Sequence, residues 1–325
     1  MKLNFSALRR SANWACGLAV AGMFLAAPDI ACAAGEQQFD SPDEAVKALT
    51  DAAKARDTNA VHAIFGPEGA ELMSPDIVQA TEGFNKFVDR LNEKTTWVNE
   101  SDTKADLEIG NDAWPFPIPL VKANGKWFFD VAAGREEILN RRIGGNELGA
   151  MDVCRAYVDA QREYASQDRN GDQVLEYAQH LFSTPGTHDG LYWPAPGEND
   201  ELSPLGLLVA QARDEGYHHR SGLLAEKDDA FHQQTPYHGY YFKVLTKEGK
   251  HAPAGKYCYI VNGHMIGGFA LVAWPAEWGN TGIMTFIVNQ QGKIYQKNLG
   301  KKSSACAKAM TTYDPDSSWT EVTDR

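Results

Sequence analysis

The period of the apolar residues switches three times along the chain, from helical to strand-like, back to helical and again to strand-like, and those four blocks limit the fold to α+β. Ser41-Pro42-Asp43-Glu44 opens the first helix: serine can cap it, proline fits its first turn, and a glutamate stands three residues on. Ala45, Val46, Leu49, Ala52 and Ala53 then recur with helical spacing. A second helix is expected over 58–65, stopped by Gly66-Pro67, and a third around 83–91, with Phe84, Phe87, Val88 and Leu91 on one face. Strand-like stretches follow at 97–98, 106–109, 117–122 and 126–131, the last two joined by Asn124-Gly125, a strong hairpin signal. These elements make a first domain of helices plus a small antiparallel sheet, spanning 34–134.

Residues 133–146 mix glycine with charge and read as a junction. A long helix is expected from 147 to about 166, its apolar and aromatic side formed by Leu148, Met151, Cys154, Tyr157, Val158 and Tyr164. The stretch 168–224 is rich in glycine and proline, yet its aromatic and leucine content points to packed irregular structure. Five short strands are then expected, at 240–245, 257–261, 269–274, 282–288 and 293–297, with Asn262-Gly263 as one of the turns. A terminal helix over 303–310 and a tail pinned by Trp319 complete a second domain, 135–325, in which a long helix packs on an antiparallel sheet.

The first 33 residues have the three-part layout of a signal peptide. Lys2, Arg9 and Arg10 precede an apolar stretch over 14–28, which ends in Ala31-Cys32-Ala33-Ala34. Cleavage is expected after Ala33, with Ala34 as the alternative, and the mature chain is expected in the periplasm or outside the cell. Asp29 spoils the apolar lead-in that a lipidation signal at Cys32 wants. The precursor carries a net charge of −12, and loss of the basic leader makes the mature chain more acidic still. With no run of Lys and Arg to oppose it, such a surface excludes nucleic acid as a partner. No segment after the leader reaches membrane-spanning length. Cys154, Cys258 and Cys306 remain; either Cys258 pairs with Cys306 in an oxidising compartment, or all three stay as buried thiols.

Trp114-Pro115-Phe116-Pro117-Ile118-Pro119-Leu120-Val121, Glu137-Ile138-Leu139-Asn140-Arg141-Arg142-Ile143-Gly144, Pro236-Tyr237-His238-Gly239-Tyr240-Tyr241-Phe242 and Gly267-Gly268-Phe269-Ala270-Leu271-Val272-Ala273-Trp274-Pro275-Ala276-Glu277 resemble an exported bacterial family of unknown function, DUF2950. The resemblance spans nearly all of the mature chain and brings no reaction or catalytic residues with it. Two further likenesses concern fold. The first domain, with Ser41-Pro42 opening a helix and Gly125-Lys126-Trp127 in a late hairpin, resembles the cone-shaped SnoaL and nuclear-transport-factor type. The second resembles pilins and pseudopilins, through Ala160-Gln161-Arg162-Glu163-Tyr164-Ala165 and the string Gly282-Ile283-Met284-Thr285-Phe286-Ile287-Val288. A pilin keeps its polymerising helix at the mature N-terminus, whereas here the helix is internal and its upstream part carries Arg141, Arg142 and Glu147.

Asp168, Asn170 and Asp172 offer oxygens at alternate positions, and Glu176 adds a carboxylate. A hard cation such as calcium wants such a loop, since alternate side chains of a tight turn converge on one point. The loop lacks the usual glycine and the bidentate acid further on, so an Asx-rich turn in which Asp172 caps a following helix fits equally well. Glu163 or Asp189 would complete a cation's shell. Ser183, His188 and Asp189 bring a hydroxyl, an imidazole and a carboxylate close in sequence, but chain neighbours rarely face each other as a triad does. His238 and His264 are candidates for an acid or base, with structural roles in turns favoured; His218 and His219 are adjacent and so point apart. Tyr192 and Trp193, with His188 and His238, form the expected ligand-binding surface, since their rings can stack on a sugar or peptide. The reading is a non-catalytic envelope binding or scaffolding protein with a structural calcium, its partner an envelope protein or glycan. The alternative is an envelope hydrolase acting on glycan or peptide.

Overall fold

The structure, a computed structural model, describes residues 35–195, 197, 201–217 and 236–323. The leader and the His218-His219 pair lie outside the described residues. At the start, Ser41 accepts a hydrogen bond from the Glu44 amide (3.2 Å) and Glu44 reaches back to the Asp40 amide (3.0 Å). This launches α1 (Pro42–Lys54). Asp57 caps α2 (Thr58–Phe65), which stops at Gly66. Asp76 caps α3 (Ile77–Glu93), a helix longer than its apolar repeat alone indicates.

Strands β1 (Thr95–Ser101), β2 (Lys104–Ile109), β3 (Trp114–Pro115), β4 (Leu120–Ala123) and β5 (Lys126–Phe129) form one antiparallel sheet in the order β1-β2-β4-β5, with β3 paired to β2. Asn124 and Gly125, at φ 52° and 81°, make the tight turn between β4 and β5 that their sequence predicts. Leu107, Ile109, Leu120 and Phe129 from the sheet are fully buried among Leu49, Ile64 and Leu91 from the helices, and this is the first apolar core.

The next element corrects the sequence reading. No loop separates the sheet from the long helix: α4 runs unbroken from Val131 to Tyr164 (34 residues), capped by Asp130. The glycines and charges of 133–146 are part of that helix. Val131 and Ile138 pack in the first core, whereas Ala150, Cys154, Tyr157, Val158 and Tyr164 pack in a second. Between those two stretches, the polar residues tie neighbouring elements to the helix. Arg142 donates to Asn280 Oδ1 (2.5 Å) and to the Leu72 carbonyl, and Glu147 accepts from the amides of Ile283 and Met284 (2.9 and 3.0 Å). Asn146, 2% exposed, accepts from Gln79 on α3 (2.6 Å) and donates to the Thr281 carbonyl (2.9 Å). Gly239, at φ 71°, is the residue that permits this approach, because a Cβ there would stand 2.7 Å from the Asn146 amide nitrogen.

After α4 come a short parallel pair, β6 (His180–Phe182) and β7 (Gly190–Tyr192), and the helix α5 (Gly206–Asp214). The chain continues with β8 (Tyr240–Leu245), β9 (Lys247–Glu248), β10 (Tyr257–Cys258), β11 (Ile260–Val261), β12 (His264–Met265), β13 (Ala270–Pro275), β14 (Met284–Asn289) and β15 (Ile294–Asn298). The helix α6 (Ser303–Ala309), β16 (Thr312–Tyr313) and β17 (Thr320–Glu321) close it. The main sheet is antiparallel in the order β17-β15-β14-β13-β8. Two expectations about this sheet change. The 257–261 stretch stays out of it, because Tyr259 turns inward to full burial and interrupts the strand; its pieces pair instead with β9 and, through Asn262-Gly263, with β12. The fifth strand comes from the tail, as β17. All six residues of β13 are buried, and α4 and α6 both pack on it.

The fold is thus mixed α+β. Among the described residues no helix is long and apolar enough to cross a membrane. The three thiols are free: Cys154 is fully buried, which pushes its pKa up to about 12, while Cys258 and Cys306 are exposed rather than buried or paired.

Candidate metal centre

The 168–176 segment leaves the end of α4 as an irregular loop. No helix follows it, so Asp172 caps none; its Oδ1 accepts from the Val174 amide (2.8 Å) in a turn of its own. Gly171 and Gln173 take positive φ (77° and 68°), which curls the loop tightly. Asp168 is spent on holding this curl. Its two oxygens accept from the amides of Gly171 (2.7 Å) and Gln173 (2.8 Å), and the Gln173 bond, with others from the loop backbone, holds its carboxyl below the usual carboxylate range. Asp168 therefore lies outside the cluster that its spacing predicts.

Asp172 and Glu176 do converge, and the third member is His264. One ligand atom from each lies within 4.8 Å of the others. His264 Nδ1 is 3.4 Å from Asp172 Oδ2 and 3.5 Å from Glu176 Oε2. Asn170 faces the group with its side-chain amide nitrogen, donating to Asp172 Oδ2 (2.7 Å) and Glu176 Oε1 (2.8 Å). The β11–β12 hairpin brings His264 here: Asn262 and Gly263 (φ 53° and 90°) turn it, and three bonds clamp it to the loop. They run from the Met265 amide to Glu176 Oε2 (3.0 Å), from the Tyr177 amide to the Met265 carbonyl (2.8 Å) and from Gln179 Nε2 to the Gly263 carbonyl (2.7 Å). The cluster is thus held in place by the protein's own hydrogen bonds.

These residues line a cavity of about 260 Å³, which Tyr164, His180 and Asp189 also face. Burial, then the charges of Glu176 and Asp189, push the Tyr164 phenol up to about 12. Asp189 is engaged elsewhere, accepting from Thr184 (amide and hydroxyl, 2.7 Å each) and the Thr187 hydroxyl (2.8 Å). Glu163 contributes its main-chain carbonyl, to Ser166 and Arg169.

The remaining sequence candidates fall in two other places. His188 stacks on Trp193 (4.2 Å between centroids), its Nδ1 stands 3.6 Å from Glu201, and Arg169 pairs with that same glutamate. Trp193 is buried and donates to the Glu201 carbonyl (2.9 Å), while Tyr192 is half-buried beneath the Arg213 guanidinium. Ser183 exchanges bonds with the main chain of Gly190 (3.0 and 3.3 Å), so Ser183, His188 and Asp189 form no relay. His238 sits apart from these, on α5's side: its Nε2 is 2.8 Å from Glu215, and it packs against the rings of Tyr217 and Tyr237. Burial raises the Glu215 pKa, but the bonds from His238 and Gln211 outweigh it and leave the carboxyl below its ordinary value.

Local spacing identifies Asp172 and Glu176. His264 as their partner escapes it, because Met265 follows Glu176 by 89 positions and only the hairpin's docking brings them together. No curated protein and no solved structure matches this chain. The family model described as "Protein of unknown function (DUF2950)" matches residues 36–322, and the chain belongs to that family.

Proposed function

We propose that this is a divalent-cation-binding protein of the bacterial envelope, exported through its leader and acting as a binding or scaffolding module rather than as an enzyme. The convergence of Asp172, Glu176 and His264 carries the reading. A cation there would cancel the mutual repulsion of two carboxylates and fasten the 168–176 loop to the β11–β12 hairpin, stiffening one end of the second core. The partly exposed His188 ring, backed by the buried Trp193 on which it stacks, and the half-buried edge of Tyr192 would offer a partner protein or glycan a small rigid contact. Chelator-treated protein titrated with divalent ions in a calorimeter tests the proposal. One ion bound per chain is expected, and absence of binding at millimolar concentration for every ion ends it.

Two companion expectations belong here. Export predicts that the mature protein begins at Ala34 in the periplasmic or secreted fraction, which mass spectrometry of the native product reads directly. The pilin-like and SnoaL-like likenesses find support in α4 lying over β13 and β14 and in α1–α3 lying against the first sheet. An experimental structure that superposes on neither type withdraws them.

The hydrolase reading rests on one observation, the imidazole–carboxylate pair His238–Glu215 at 2.8 Å, which could orient a general base. Soluble fragments released from labelled peptidoglycan or casein, and lost in His238→Gln, would replace the scaffold reading with this one.

A further inference from the structure

We infer that the ion is a borderline transition metal of the zinc class rather than calcium, held by three side chains with a coordination position open to the cavity. This rests on the cation-binding proposal and goes on to its chemistry.

Spacing alone does not choose the ion. Tetrahedral zinc, with bonds of about 2.0–2.1 Å, needs donors about 3.3–3.4 Å apart, and the two imidazole–carboxylate distances are 3.4 and 3.5 Å. Calcium, with bonds near 2.4 Å at right angles, would accept almost the same edges. Donor type and donor number decide. Calcium takes about 6–8 oxygens and has little use for an imidazole nitrogen, whereas zinc, cobalt and nickel favour it. Oxygens are scarce here. Both of Asp168 are committed to its own loop, and Asp172 Oδ1 is committed to Val174. The Gly263 carbonyl is bonded to Gln179, and Asn170 turns its amide nitrogen rather than its carbonyl to the cluster. A calcium ion would find few protein oxygens facing His264 and would have to draw most of its shell from water.

For a four-coordinate metal the same bonds are assets. Asn170 and the Met265 amide each donate to the Glu176 carboxylate and so fix its orientation, as the hydrogen-bond partners of metal carboxylates do. Three protein donors facing a cavity of about 260 Å³ leave a fourth position for water or a small anion, the pattern of an exchangeable zinc site rather than a closed structural one.

Metal-stripped full-length mature protein would be titrated in parallel with Zn2+, Co2+, Ca2+ and Mg2+, with Co2+ also followed by visible absorption. Zinc and cobalt are expected to bind one per chain, with calcium at least about 100-fold weaker. Bound cobalt is expected to show the intense bands of four-coordination, and azide is expected to shift them by entering the open position. His264→Gln, at a half-exposed site, is expected to abolish the zinc preference and leave calcium's weak binding unchanged. Calcium binding as tightly as zinc, a six-coordinate cobalt spectrum, bands indifferent to azide, or undiminished zinc binding in His264→Gln would each overturn the inference while leaving cation binding intact. Binding of no ion removes the parent proposal as well.

Discussion

Glu36 stands at the edge of the first core, where burial comes first and the charges of Asp130 and Glu68 come next in raising its pKa from 4.5 to about 7. One of its oxygens is buried without a hydrogen-bond partner, in keeping with a group that prefers its proton. The sign of the pH effect follows. The folded state holds this proton up to about pH 7, and the unfolded chain releases it near 4.5, so the native state binds more protons across that window. Stability therefore falls as pH rises from about 4.5 to about 7 and is flat with respect to this group outside it. Glu36→Gln is expected to remove that slope and to make the protein more stable than wild type at pH 8. Urea denaturation of both proteins at pH 5 and pH 8 measures it; an unchanged slope in the variant shows that another group is responsible. The same scale shows why a sequence reveals only part of a site. Asp168 and Asp172 are equivalent by spacing, yet backbone amides claim both oxygens of one and leave the other with an oxygen for the cluster. That division depends on how the loop curls, which alternation of residue types does not encode.

Helix α4 poses the question of legibility at the level of elements. Asn124-Gly125, Asn262-Gly263 and the Ser41–Glu44 cap act over four or five residues, so their local chemistry suffices to read them. The start of α4 does not work that way. Gly144 and Gly145 each lower helix propensity by roughly 1 kcal/mol relative to alanine, and the charges around them obscure the apolar period. What holds those turns helical is tertiary: Arg142, Asn146 and Glu147 all bond to segments distant in sequence. A prediction follows for the two glycines, which are exposed and would meet nothing within 4 Å on gaining a Cβ. Gly144→Ala and Gly145→Ala are each expected to stabilise the protein by roughly 0.5–1 kcal/mol, a gain that comes mainly from restricting the unfolded chain. Thermal unfolding would show the rise. A loss of stability in either variant would mean that the helix uses glycine there to bend or to admit a neighbour.

Across the whole molecule, two apolar cores share one helix and a small set of polar ties. Gln79–Asn146–Thr281 and Arg142–Asn280 cross from one core's elements to the other's, and Tyr217 adds a bond to Asp76 (2.7 Å). Because Asn146 is buried, its removal leaves a carbonyl and an amide without partners, a cost of about 1–3 kcal/mol. That cost falls on the coupling between cores rather than on either interior. The wild-type chain is accordingly expected to unfold in one cooperative transition, and the Asn146→Ala/Arg142→Ala double variant in two, resolved by calorimetry and assigned by hydrogen exchange. The proposed cation site provides an internal control. Asp172, Glu176 and His264 all belong to segments around the second core, so a saturating ion bound there would stabilise that core by mass action and leave the other alone. In the double variant, zinc should raise only the transition assigned to α5, β8 and β13–β15. In the wild type, where the ties are intact, it should raise the single transition as a whole. If the double variant still melts as one unit, the shared helix and the remaining Tyr217–Asp76 bond carry the coupling and the Asn146 and Arg142 ties are dispensable; if zinc raises both of its transitions equally, the ion does not sit where these three side chains converge.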